Sequence, residues 1–274
     1  MKRFLCLALA LTLSLCVNAK LIKVLAIGNS FSEDAVEQYL FELARAQGDS
    51  LIIGNAYIGG CSIDRHEANL AGDSALYEYR KVVGGIRYVR RGWTLKDIIC
   101  NEQWDIISLQ QASQLSGIPS SFVRLGMLKR QVESYATNLH VQFVWHMTWA
   151  YAKDFNNSRF EAYDYNQYTM YSRIVSTMLN VLPGVGIRRI VPTGIAIQLM
   201  RYRLGEVLNR DGFHLSLTVG RYAAACTWCE FLTGKIVDGN KYRPETLTEE
   251  EAQTCQQEAH EAVYMQQHGR YFLL

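Results

Sequence analysis

Five short runs in this chain are apolar almost without interruption: Lys23–Ile27, Leu51–Tyr57, Trp104–Leu109, Val141–His146 and Arg188–Val191. A strand with one face in water alternates apolar and polar residues. A strand that is apolar throughout must be covered on both faces, which is the situation in a parallel sheet packed between helices. Helical patterns lie between the runs, near Glu33–Gln47, Ser120–Leu139 and Glu161–Leu182, and further helices are expected at Leu215–Leu232 and Thr246–Gln267. The alternation predicts an α/β chain with a central parallel sheet of about five strands. One segment interrupts it. Tyr77–Gly92 reads as two strands joined at Gly84-Gly85, a dipeptide suited to a tight hairpin turn. The hairpin carries Arg80, Lys81, Arg87, Arg90 and Arg91, which either discourage edge-to-edge pairing or draw acidic groups of a substrate toward a flap. With no repeat, low-complexity tract or linker, residues 20–274 are read as one domain.

Residues 1–19 are excluded from that domain. Met1-Lys2-Arg3 is a short basic start, Phe4 to Val17 is nearly all apolar, and Val17-Asn18-Ala19 places small residues before a cut. This is the pattern of a secretory signal peptide, and it predicts export to a periplasm or beyond. Cys16 as a lipidated residue is disfavoured by the bulky Leu15 before it. The chain has 28 Lys+Arg and 26 Asp+Glu, and loss of Lys2 and Arg3 leaves 26 of each sign. A formally neutral chain offers no electrostatic argument for a nucleic-acid partner or for membrane insertion. Five of the seven cysteines remain after cleavage, an odd and scattered set unlike a disulfide framework. Cys226-Thr-Trp-Cys229 has redox spacing, but it falls inside an apolar helical run rather than at a helix start, and no second pair completes a zinc site. Both are read as buried structural thiols, and neither a metal nor an organic cofactor is expected.

Ligands of an open parallel sheet bind beyond the carboxyl ends of its strands. At the end of the first strand stands Gly28-Asn29-Ser30, followed by a helix. A serine at a helix start is ordinarily a cap, and it becomes a nucleophile only with a base in hydrogen-bond reach. Asp211-Gly212-Phe213-His214 supplies a carboxylate and an imidazole three residues apart, after the last strand. Gly59-Gly60 follows the second strand and lets a backbone amide approach a ligand, or simply turns the chain. Gln110 and Gln111 follow the third strand and offer side-chain amides, or satisfy loop backbone. One loop alone would mean little; four loops delivering these groups to one edge of a sheet form a constellation.

Those residues carry a resemblance. From Ile22 to about Gly234 the chain resembles the SGNH, or GDSL-like, hydrolase superfamily, and within it a group of secreted bacterial proteins of unassigned function. The resemblance implies a flavodoxin-like three-layer α/β/α sandwich and a Ser-His-Asp triad of Ser30, His214 and Asp211. It also implies an oxyanion hole formed by the amides of Ser30 and Gly60 with a side-chain amide. Asn29 stands where the superfamily has a non-catalytic aspartate. The third block departs further: the superfamily's Gly-x-Asn-Asp is replaced by Leu109-Gln110-Gln111-Ala112-Ser113, so Gln110 is the first candidate for the missing asparagine and Gln111 the second.

The segment Phe143–Arg173 is dense in aromatic residues. Trp149 and Tyr151, just past the fourth strand, are expected to face a sugar, whose faces suit rings with polar tips. Phe160, Tyr168 and Tyr171 are expected to pack a helix on the sheet. His66 and His146 are read as hydrogen-bonded structural or site-lining residues, and are counted with Trp149 and Tyr151 as candidate substrate contacts. The expected activity is hydrolysis of a small acyl ester, acetyl for preference, on a carbohydrate. The alternatives are a catalytically inactive carbohydrate-binding protein on the same fold, a lipase, or an acyltransferase.

Overall fold

A computed structural model describes residues 19–272. Seven strands form one sheet: β1 (Leu21–Gly28), β2 (Ser50–Tyr57), β3 (Tyr77–Val83), β4 (Ile86–Trp93), β5 (Ile106–Leu109), β6 (Gln142–His146) and β7 (Arg189–Val191). Their spatial order is β4-β3-β2-β1-β5-β6-β7. Strands β2, β1, β5, β6 and β7 run parallel, and the antiparallel hairpin β3–β4 is added beside β2. Counted along the chain, the parallel strands have the order 2-1-3-4-5 of the flavodoxin-like fold, whose switch point lies between the first and third. Here that point falls between β1 and β5, beyond Gly28 and Leu109. The central strand β1 is paired on both sides, and Val24 to Ile27 are almost wholly buried. Burial of each large side chain of this kind stabilises by about 1.5–3 kcal/mol, so the corner after β1 is anchored in the deepest part of the core.

Nine helices cover the sheet among the described residues: α1 (Ser30–Val36), α2 (Leu40–Ala46), α3 (Ile63–Ala71), α4 (Leu95–Cys100), α5 (Leu125–Tyr135), α6 (Gln167–Val181), α7 (Thr193–Leu204), α8 (Val219–Thr233) and α9 (Glu249–Gln267). Helices α1, α2, α7, α8 and α9 pack together as one layer, and α3, α4 and α5 as the other. The result is a three-layer α/β/α sandwich. Three helices, α3, α4 and α7, were not legible in the periodicity. Two predicted helices are broken. Glu33–Gln47 divides at Tyr39, whose φ is +68° and whose hydroxyl donates to the Leu217 carbonyl. Glu161–Leu182 divides at Asp164 and Tyr165, both with positive φ. In each case a residue takes a left-handed conformation that side-chain periodicity does not report.

The expected leader, residues 1–19, lies outside the described residues apart from its last position. No helix of the described residues is long and apolar enough to cross a membrane. Cys226 and Cys229 are buried, unpaired thiols inside α8. Burial pushes Cys229 up to about 12 and Cys226 well above its ordinary value, so neither supplies a thiolate. The cations of the hairpin are mostly neutralised: Arg80 pairs with Glu33, Glu37 and Glu78, Arg87 with Glu37, Arg91 with Glu78 and Lys81 with Glu102. A flap drawing in acidic groups through these four is therefore not what the hairpin forms.

Candidate active site

Ser30 is the first residue of α1, directly beyond β1. The cap of that helix is its neighbour: the Asn29 side-chain oxygen accepts from the Phe31 amide at 3.0 Å. Relieved of capping, the Ser30 hydroxyl lies 2.8 Å from Nε2 of His214. Nδ1 of His214 lies 2.7 Å from one oxygen of Asp211. The other oxygen of Asp211 accepts the backbone amides of His214 and Phe213, at 2.8 and 3.2 Å. Burial works to raise the Asp211 carboxyl. The hydrogen bonds from the His214 ring and from these two amides outweigh it and hold the group below its ordinary value. An ionised Asp211 makes Nδ1 the protonated nitrogen and leaves the lone pair of Nε2 facing Ser30. Between acid and base, Gly212 has φ +86°, and a Cβ there would sit 2.3 Å from the Phe155 ring, so only glycine fits this tight loop.

A second carboxylate locks Ser30 and His214 to each other. Asp34, one turn along α1 from Ser30, is fully buried. It accepts from the Leu215 amide at 2.8 Å, from Arg210 at 3.0 and 3.1 Å and from Arg221 at 2.9 Å. Arg210 and Leu215 immediately flank the Asp211–His214 loop, and Arg210 also donates to the Leu215 carbonyl. The sequence reading missed Asp34, although a carboxylate within a buried helix, paired with an arginine beside Asp211, was a signal to be found.

A cleft of about 420 Å³ opens over Ser30 and His214. Its walls are Tyr57 with the Gly59-Gly60 turn on one side and Ser113, Gln114, Arg159 and Phe213 on the other. Among the described residues no group accepts from the backbone amides of Ser30 or Gly60. The two predicted glutamines are not in the cleft. The amide nitrogen of Gln110 donates to the Asn29 side chain at 3.0 Å, and its oxygen faces Nδ1 of His146 at 2.8 Å. Gln111 accepts from the amides of Ile63 and Ala112 and donates to Ser121. Both amides are buried and committed to backbone and side-chain partners behind the site. Gln114 is the side-chain amide that reaches the cleft, and its oxygen has one long contact, 3.5 Å from the Ser113 hydroxyl.

A family model described as "Domain of unknown function (DUF4886)" matches residues 23–262. The chain belongs to the DUF4886 family. The crystal structure of a DUF4886 family protein from Bacteroides uniformis is 46% identical, with 89% of this chain and 95% of that chain covered and a TM-score of 0.87. Two more distant structures also match. A proposed SGNH hydrolase from Slackia heliotrinireducens is 18% identical (78% and 99% covered, TM-score 0.49), and an acetylxylan esterase from Geobacillus stearothermophilus is 12% identical (77% and 94% covered, TM-score 0.48). No protein of curated function matches the chain.

In this DUF4886 chain the aromatic segment is a strut rather than a platform. Trp149 and Tyr151 are both fully buried, so neither presents a face to a sugar. Trp149 stacks on Phe31 at 4.1 Å, and its indole nitrogen donates to the Phe213 carbonyl at 2.7 Å. The Tyr151 hydroxyl meets the Ser113 hydroxyl at 2.8 Å, and the Ala152 amide donates to the Gly212 carbonyl at 2.7 Å. The bonds to Phe213 and Gly212 brace the loop that carries His214. Phe160 and Tyr171 pack inward as expected, whereas Tyr168 is half exposed. His66 and His146 are also sealed from the cleft. His66 bonds the Tyr77 hydroxyl at 2.9 Å, and burial pushes both rings down to about 3, so both stay neutral. Trp149→Phe removes the bond to Phe213 and is expected to cost about 1–3 kcal/mol in chemical denaturation. Activity should fall by the same factor on sugar esters and p-nitrophenyl acetate; a loss confined to sugar esters would restore the platform.

Proposed function

We propose that this DUF4886 protein is an exported serine esterase that removes a small acyl group, acetyl for preference, from a carbohydrate ester. The observation that carries the reading is the Asp211–His214–Ser30 relay, with contacts of 2.7 and 2.8 Å, opening on a cleft at the carboxyl edge of the sheet. Ser30 Oγ attacks the ester carbonyl while its proton passes to Nε2 of His214, and Asp211 supports the resulting imidazolium. The negative charge on the carbonyl oxygen is met by the amides of Ser30 and Gly60 and by the Gln114 side chain. Collapse breaks the acyl–oxygen bond, His214 returns the proton to the departing alcohol, and an acyl-Ser30 intermediate remains. Water, deprotonated by His214, then releases the acid and restores the hydroxyl. The modest volume and polar walls of the cleft favour a short acyl group over a lipid chain, and the leader pattern of residues 1–19 supports export.

Turnover of p-nitrophenyl esters of increasing chain length, beside acetylated glycans, tests the reading. Rates should be highest for acetate and fall steeply with length. A protein that binds glycans but turns over no ester is a binding module instead. For the oxyanion hole, Gln114→Ala is expected to lower kcat by about 10²–10³ with little change in KM. Gln110→Ala should instead appear as a stability loss of about 1–3 kcal/mol, since it leaves the buried Nδ1 of His146 without a partner and takes one of two donors from the Asn29 oxygen. Full activity in Gln114→Ala would remove that amide from the mechanism.

A further inference from the structure

We propose that Arg159 makes the cleft selective for esters carried on an acidic sugar, a uronic acid whose carboxylate pairs with its guanidinium. This inference rests on the esterase reading. Arg159 sits on the wall of the cleft over Ser30 and His214. Its guanidinium lies over the Phe213 ring at 5.5 Å, and that ring in turn lies 3.9 Å from the His214 ring. The cation is thus one aromatic ring away from the base. Its backbone is held in place as well: the Arg159 amide donates to the Asn157 side chain at 3.1 Å, at the start of the 3₁₀ turn Ser158–Tyr163.

The charge around this guanidinium is what gives it a function. Arg80 of the neighbouring hairpin, which stacks at 3.5 Å on Tyr57 across the cleft, is surrounded by three carboxylates. Arg210 and Arg221 are held by Asp34. Arg159, by contrast, has no carboxylate within ion-pair distance among the described residues, and no Asp or Glu lines the cleft. The remaining acid of the site, Asp211, is spent on His214 and two backbone amides. A guanidinium has donors only, and its planar fork matches a carboxylate in two parallel bonds. The cleft over Ser30 therefore presents on its wall an unmatched cation beside the Phe213 ring. About 420 Å³ admits a single sugar ring with its acyl group, so a carboxylate on the same ring as the ester falls within reach of Arg159.

The test compares O-acetylglucuronic acid with O-acetylglucose, using the ratio of kcat/KM values measured within each variant. Wild type should favour the acid about tenfold, the size of one partly solvated charge-assisted contact. Arg159→Gln should bring the ratio to about one, Arg159→Lys should retain part of it, and Arg159→Glu should invert it. Raising NaCl from about 0.05 to 1 M should shrink the wild-type preference, as screening demands. Binding of the same two sugars to Ser30→Ala protein, followed by calorimetry, needs no turnover. A preference for the acid there, lost in Ser30→Ala/Arg159→Gln, upholds the inference even if no ester is hydrolysed and the esterase reading fails. Equal rates and equal binding for the two sugars, or a preference that survives Arg159→Gln, overturn it while leaving the esterase reading intact.

Discussion

Ser30→Ala and His214→Ala are each expected to lower kcat by roughly 10⁴–10⁶, and the double mutant to lie close to the worse of the two. In the proposed mechanism the two side chains act on one proton. Once the hydroxyl is gone, Nε2 of His214 has nothing to receive, so its removal adds little. Additive losses would mean that the 2.8 Å contact between them does not operate as a unit. Thermal stability should change only modestly, because Ser30 is not the cap of α1; Asn29 is. Full esterase activity in Ser30→Ala would end the proposed mechanism, since no other hydroxyl of the cleft has an imidazole partner.

Asp34→Ala is expected to destabilise the protein by about 3–5 kcal/mol, the usual result of removing one member of a buried ion pair. For a chain of this size that corresponds to a fall in Tm of roughly 6–20 °C. Arg210 would be left without a counter-charge, Arg221 would keep only its longer pair with Glu33 at 3.6 Å, and the Leu215 amide would lose its acceptor. The same change should lower kcat in protein that is still folded at low temperature. Arg210 and Leu215 then no longer tie the His214 loop to the helix that carries Ser30, and a displacement of about 1 Å at a reacting pair costs on the order of 10²-fold. Denaturant unfolding and single-turnover kinetics separate the two effects. Stability within about 1 kcal/mol of wild type would show that the clamp contributes little.

The layers were legible because their signals are local. An apolar run buried on both faces announces itself over a few residues, and each of the five parallel strands was located to within a few positions. The hairpin at Gly84-Gly85 was legible for the same reason. Asp211 and His214 are three residues apart, so their contact is a property of one loop. Helices α3 and α4 are short, and the break at Tyr39 depends on a hydroxyl bond to Leu217, a residue far along the chain. Nothing within the window of a helical pattern reports such a contact.

The sequence by itself therefore determined the parallel core, the corner that presents Ser30, and the loop that pairs Asp211 with His214. Only the tertiary structure decided which neighbours each polar side chain meets. Gln110 and Gln114 stand four residues apart with the same chemistry, yet one is spent on Asn29 and His146 and the other reaches the cleft. Trp149 and Tyr151 follow a strand at the active edge, but Phe31 and Ser113 draw them inward. Asp34 meets Arg210 across 176 positions of chain. Among the described residues Arg159 has no paired carboxylate, whereas Arg80 and Arg221 do. Periodicity and spacing act over a few residues, whereas these contacts depend on the packing of loops that leave different strands, and that packing exists only in the folded chain.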